Sequence, residues 1–271
     1  MTSLKSRLLV SVVGVPLLLW LVLGAPVFVI AAALCLLAAF GAVELQQCVS
    51  GEKMNGMCVL GGICAAAAVY WCWQKPDDMI VLFVAEAIAV FGYAIVKAPE
   101  VKCVQILAGL FGSIAIGYSF SAFLRMSSAG YHRAFLLLPF ILSFACDTFA
   151  YFVGCSIGKH RLAPKVSPKK SVEGSVGGFA GNVLCGCLFA FVMNRWFGTD
   201  IAYPVMVLLS LLCGLVAQIG DLSFSLIKRE YGVKDYGKLF LAHGGILDRF
   251  DSVLFVAPII EILLSVIPAV V

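Results

Sequence analysis

Residues 8–43 read LLVSVVGVPLLLWLVLGAPVFVIAAALCLLAAFGAV, with no charged side chain. A helix that crosses a bilayer needs roughly 20 mostly apolar residues. This run is too long for one span and long enough for two. Gly24-Ala25-Pro26 lies near its centre. Glycine ends helices well and proline starts them well, so the tripeptide reads as a tight hairpin between two membrane helices. Lys5 and Arg7 ahead of the run resemble the start of a secretory signal. More apolar helix follows instead of a soluble domain, and that favours a membrane span.

The rest of the chain agrees with its beginning. Of its 271 residues 62% are hydrophobic and 13% charged, against about 45–50% and about 25% in soluble proteins. A soluble enzyme, a disordered chain and a secreted disulfide scaffold are excluded. The net charge of +4 is too small to point to nucleic acid, and no such partner is expected. Cys35, Cys64, Cys72, Cys146, Cys185, Cys187 and Cys213 lie inside apolar runs, and no CxxC pair occurs. They read as small packing residues.

Further apolar runs at 57–73, 79–96, 103–124, 134–154, 176–193, 202–220 and 253–271 complete the pattern. The expected fold is an all-α polytopic membrane protein of about nine transmembrane helices. Residues 1–133 would hold five spans. Residues 134–271 would form a catalytic region of four spans, with loops 155–175 and 221–252. Cytoplasmic loops carry an excess of Lys and Arg. With the N-terminus inside, fifteen of the nineteen basic residues fall on the inner side, leaving Lys75, Arg125, Arg133 and Arg195 outside. The N-terminus is therefore expected in the cytoplasm and the C-terminus outside. Ten of the fifteen lie in the two loops just named, so chemistry is expected where those loops meet the membrane face.

The second loop, DLSFSLIKREYGVKDYGKLFLAHGGILDRFDS, holds five basic and five acidic residues besides His243. A lipid-binding polybasic patch would be nearly free of carboxylates. Balanced charge at this density suits a site that handles metal ions and a polyanion together. If Asp221 opens a helix or continues the preceding one, Ser225 and Lys228 share its face at i+4 and i+7. Asp248 and Asp251, three apart, share another. Gly244-Gly245 allows close backbone approach to a ligand. Asp147 sits seven residues before Gly154, roughly 10 Å below the end of its span at a 1.5 Å rise. An ionisable residue at such depth costs about 2.5–3.5 kcal/mol to insert and marks a functional candidate. Glu86 and Glu261 read as interhelical hydrogen-bonding groups.

In the first loop and its exit, APKVSPKKSVEGSVGG (163–178), Ser167-Pro168 is expected to set a turn ahead of Lys169-Lys170. The glycines would then open the next span, with its N-terminus directed at an anion held by the lysines. An ordinary positive-inside loop accounts equally well for these lysines.

The stretch from Ser225 to Asp251 resembles the signature of the phosphatidate cytidylyltransferases, also called CDP-diacylglycerol synthases. Its elements here are Ser225, Lys228-Arg229, Lys234-Asp235, His243-Gly244-Gly245 and Asp248-Arg249-Phe250-Asp251. Gly220-Asp221-Leu222 looks like the G-D-L that precedes it. Asp147-Thr148 with Ala150-Tyr151, and Ser167-Pro168-Lys169-Lys170 with Glu173-Gly174, look like the upstream motifs in their order. The resemblance covers roughly residues 140–255, and the earlier spans match in hydropathy alone. Three departures stand out: Phe224 where an acidic residue is usual, Leu241-Ala242 in place of Pro-Gly, and Ser171-Val172 in place of Thr-Trp.

The resemblance implies that CTP and phosphatidic acid are converted to CDP-diacylglycerol and pyrophosphate. It implies Mg²⁺, as one or two divalent ions, with a monovalent cation as a candidate second ion. Asp221 and Asp248 are the first choices as ligands, and Asp251 is either a ligand or a partner of Arg249. Lys228, Arg229, Lys234 and Arg249 are assigned to phosphate charge, with Lys169 and Lys170 reaching in from the other loop. Ser225, Asp235, His243, Gly244, Gly245 and Asp147 are expected to line the substrate site, with a structural role for His243 almost equally expected. The implied setting is a bacterial inner membrane, with the site facing the cytoplasm, and a homodimer. The alternative is a polyprenol- or phytol-type lipid kinase. A transporter is less favoured, since no internal repeat is visible.

Overall fold

The structure, a computed structural model, describes residues 3–51, 54–237 and 244–266. His243 and Leu241-Ala242 lie outside the described residues. Within them the chain forms nine α-helices: α1 (Ser3–Leu23), α2 (Val27–Ser50), α3 (Gly56–Gln74), α4 (Met79–Val96), α5 (Cys103–Ser128), α6 (Leu138–Ile157), α7 (Val172–Trp196), α8 (Tyr203–Glu230) and α9 (Leu247–Val266). An antiparallel pair, β1 (Arg161–Ala163) and β2 (Ser167–Ser171), lies between α6 and α7. Among the described residues each apolar segment of the sequence overlaps one of these helices. Seven of the helices, α2 to α8, are long and apolar enough to cross a membrane, and the chain is an integral membrane protein. The apolar part of α1, Gly14–Leu23, is shorter, and α9 carries Asp248, Arg249, Asp251 and Glu261.

The helix boundaries have local causes. At the end of α1 the Gly24 and Ala25 N–H groups both donate to the Trp20 carbonyl (2.9 and 3.0 Å), and extended Pro26 opens α2. Asn55 caps α3 by accepting the Cys58 N–H at 2.9 Å. At its other end α8 runs on past Gly220 to Glu230, so the first third of the expected 221–252 loop is helix. At 1.5 Å per residue α8 is about 42 Å long, against a hydrocarbon core of about 30 Å. Its charged last turns therefore extend past the hydrocarbon.

The chain divides into two compact units: Met1–Ser128 with Lys228–Phe250, and Ala129–Ile227 with Asp251–Val271. In the first, α2, α3 and α5 pack closely through small residues. A side chain at Gly117 would collide with Ala68, and one at Gly62 would meet Val43 at 3.0 Å. Polar contacts join α5 to α4 and to α2. The Ser113 hydroxyl donates to Glu86 Oε2 at 2.7 Å, and Gln46 Nε2 donates to the Gln105 carbonyl at 2.8 Å. In the second unit a glycine face of α7 lies on α6, with Gly177 against Val153 and Gly181 against Phe149.

Candidate active site

In the second unit the middle of the expected 155–175 loop folds as the β1–β2 hairpin, with Arg161 opposite Ser171 and Ala163 opposite Ser167, while its ends belong to α6 and α7. Its turn is closed by the Val166 N–H donating to the Ala163 carbonyl at 3.1 Å. Pro164 occupies the second turn position, which its fixed φ suits. The turn expected at Ser167-Pro168 is thus displaced, and those residues belong to β2. Successive strand residues point to opposite faces, which separates the two lysines. Lys169 is exposed, while Lys170 is half-buried and forms an ion pair with Asp221 on α8.

Several contacts hold Lys170 in place. Ser171, at the end of β2, caps α7 by accepting the Gly174 N–H at 3.1 Å. A serine hydroxyl caps as well as the threonine usual at this point. The helix begins at Val172, four residues before the expected start of the span. Glu173 in its first turn accepts the Lys159 N–H (3.0 Å) and the His160 N–H (3.2 Å), and its Oε1 lies 2.6 Å from His160 Nδ1. The start of the loop is thereby tied to the start of α7. A Cβ at Gly158 would lie 2.6 Å from the Ser171 hydroxyl, and one at Gly174 would lie 2.7 Å from the Ala150 carbonyl.

On α8, Gly220 lies against α9. A Cβ there would sit 2.7 Å from the Asp251 carbonyl and 2.8 Å from Phe255. Phe224 is buried edge-on against Phe255, with ring centroids 6.3 Å apart. The residue that replaces the family's usual acid is therefore a packing residue here. Asp251 is buried, with Oδ1 accepting the Ser252 N–H at 2.7 Å. Asp147 is exposed on α6, ten residues before the helix ends.

A second cluster lies in the first unit. Lys228 Nζ donates to Asp248 Oδ1 at 2.8 Å and stands 5.4 Å from the Tyr236 ring centroid. Both side chains are nearly closed to solvent, at 10% and 4% exposure. Asp248 Oδ2 accepts the N–H groups of Tyr236 (2.8 Å) and Gly245 (2.9 Å). Gly244 has φ +83°, which favours glycine, and a side chain there would come within 2.7 Å of Asp248 Oδ2. Arg229, Lys234, Asp235 and Arg249 are exposed, whereas Ser225, on the preceding turn of α8 and in the other unit, is buried.

One residue of this cluster escaped the sequence analysis. Glu44, near the end of α2, is buried, and its carboxylate accepts the N–H groups of Ile246 and Leu247 at 3.0 Å each. The available signal is that it is the first ionisable residue after 36 uncharged ones, from 8 to 43.

Whether these residues suit a divalent ion follows from the carboxylates themselves. Among the described residues no three of His, Cys, Asp or Glu converge. Mg²⁺ is usually held by one or two carboxylates plus phosphate oxygens and water. Asp221 fits well, since its side chain is 21% exposed. Asp248 already accepts three hydrogen bonds, so an ion there would displace Lys228.

The lysine–carboxylate pairs thus sit on the helices and the hairpin of a polytopic membrane protein. Comparison with known proteins gives its family. The family model described as "Cytidylyltransferase family" matches residues 5–267. The phosphatidate cytidylyltransferase of Staphylococcus saprophyticus subsp. saprophyticus is 40% identical over 149 residues, 55% of this chain and 55% of that protein. Its counterpart in Staphylococcus epidermidis is 34% identical over 181 residues, 67% of each chain. The match thus spans about half the length of the first relative and two thirds of the second. The chain belongs to the cytidylyltransferase family, and it is an integral membrane protein.

Proposed function

We propose that the chain transfers the cytidylyl group of CTP to phosphatidic acid, forming CDP-diacylglycerol and releasing pyrophosphate. The observation that carries this proposal is that signature residues distant in sequence form lysine–carboxylate pairs, Lys170 with Asp221 and Lys228 with Asp248. Such pairs store cations at a membrane surface without net charge. They suit a reaction that must bring two polyanions together.

In that reaction an oxygen of the lipid phosphate attacks the α-phosphorus of CTP in line. The bond from the α-phosphorus to the bridging oxygen breaks, and its electron pair leaves with pyrophosphate. A phosphate monoester has a second pKa of about 6, so the attacking oxygen is largely deprotonated at neutral pH and needs no general base. Catalysis then rests on positioning and electrostatics. Mg²⁺ held by Asp221 would supply charge neutralisation for the triphosphate, and Asp248 or Asp251 would hold a second ion. Lys170 and Lys228 exchange carboxylate for phosphate oxygens as substrate enters. Arg229, Lys234 and Arg249, all exposed, gather phosphate charge. Lys169, Ser225, Asp235, Gly244, Gly245, His243 and Asp147 complete the substrate contacts.

The proposal includes nine crossing helices with the N-terminus in the cytoplasm and the C-terminus outside. It places the chain as a homodimer in a bacterial inner membrane, with both clusters facing the cytoplasm. The test is pyrophosphate release by detergent-purified protein given CTP, phosphatidic acid and Mg²⁺, each omitted in turn. Release is expected only when all three are present. Release without the lipid, or none from folded protein over several acyl-chain lengths, would overturn the assignment.

A further inference from the structure

We infer that Glu44 is a positioning residue for the nucleotidyl-transfer site, clamping the signature loop from a helix that carries none of the signature. This rests on the proposed reaction. Three observations within one compact unit support it. First, the Glu44 carboxylate takes the Ile246 and Leu247 N–H groups with separate oxygens, both at 3.0 Å, across more than 200 residues of chain. These are among the N–H groups that the start of α9 leaves without intrahelical partners. Both residues are fully buried, so water cannot replace the acceptor. A carboxylate at a helix N-terminus also meets the positive end of the helix dipole.

Second, Glu44 lies against both ends of the segment that carries His243. A side chain at Gly245 would overlap both Glu44 oxygens, and one at Gly237 would overlap Oε1. Neither glycine has a positive φ. Their smallness is explained by the room this carboxylate needs. Third, Asp248 grips the same two ends, through the N–H groups of Tyr236 and Gly245. Two carboxylates thus hold the described residues on either side: Asp248 reaches Lys228, and Glu44 fixes the backbone from which Asp248 projects. A misplacement of about 1 Å in a site that works by positioning can lower rate by about 10²-fold. Glu44 does this without touching substrate.

The test compares wild-type protein with Glu44→Gln, whose amide keeps the size but turns an NH₂ toward one of the two N–H groups. The expected result is a kcat lowered by about 10²-fold with little change in KM for phosphatidic acid, together with a lowered Tm, since one buried N–H loses its acceptor. Hydrogen exchange should lose protection in the peptide covering residues 244–250 and nowhere else. Wild-type kcat, or unchanged protection at 244–250, would overturn the inference. If Glu44→Gln does not purify folded, Glu44→Asp decides, since it keeps the charge but withdraws it. Lowered kcat at unchanged KM supports the clamp, and wild-type kcat overturns it. If wild-type protein itself shows no transfer from CTP, the proposed reaction has failed. Hydrogen exchange then still tests the clamp alone.

Discussion

Lys170 and Asp221 form a partly exposed pair, at 26% and 21%, whereas Lys228 and Asp248 are nearly closed to solvent. That difference separates function from stability. The first pair is more screened by solvent than the second, so it is expected to contribute less to folding. Asp221→Asn is expected to lower kcat by about 10²–10³-fold, the effect of removing one preorganised electrostatic group, with Tm nearly unchanged. Wild-type pyrophosphate release would remove Asp221 from the mechanism. Breaking a buried pair leaves a charge uncompensated and costs about 3–5 kcal/mol. Lys228→Met should therefore lower Tm as well as turnover, and a wild-type Tm would show that the pair is not closed in solution. Phe224 makes a third case. It packs on Phe255, so Phe224→Glu should lower Tm by burying a carboxylate and leave Mg²⁺ dependence as it was. A changed Mg²⁺ dependence at unchanged Tm would mean that the position still accepts the family's usual acid as a functional group.

At the level of elements, the hairpin and the α6–α7 packing place Lys170. The glycine face of α7 admits no larger residue at Gly181, where Phe149 occupies the space. Overpacking of this kind typically costs about 1–3 kcal/mol. Gly181→Leu should accordingly lower Tm and reduce turnover, and an unchanged Tm would contradict the close packing. Helices were the most legible elements in the sequence, because apolar runs such as 79–96 end at residues that stop a helix in the bilayer. Their extensions were less legible. The charged residues after Gly220 read as loop, yet outside the hydrocarbon nothing prevents Ser225–Glu230 from continuing α8. The hairpin left no periodic signal, since β1 has three residues and β2 opens with Ser167-Pro168. Glu44 was hidden for a different reason: its partners Ile246 and Leu247 are brought to it by tertiary packing alone.

For the whole molecule, the lopsided distribution of Lys and Arg implies an orientation that can be measured. Reporter fusions are expected to place the C-terminus outside, and reagents that cannot cross the membrane should reach Lys169 from the cytoplasmic side only. Labelling of Lys169 from outside would reverse the topology and with it the access of CTP. Membrane character and family were legible from composition and from the motifs between residues 140 and 255. How signature residues are divided between two compact units was not, because α8 passes from one unit to the other between Ile227 and Lys228, and a continuous helix gives no sign of it.

In the proposed reaction the nucleotide's α-phosphate, with its cytidine, is what reaches the lipid. This is measured with CTP labelled at the α-phosphate in one reaction and at the γ-phosphate in another. Purified protein and Mg²⁺ are supplied in both, with vesicles that contain phosphatidic acid and a lipid alcohol. The expected result is lipid-extractable label from the α position only. Label from the γ position in the lipid would make the chain a lipid kinase, and absence of lipid label from both, with folded protein, would contradict the proposed reaction.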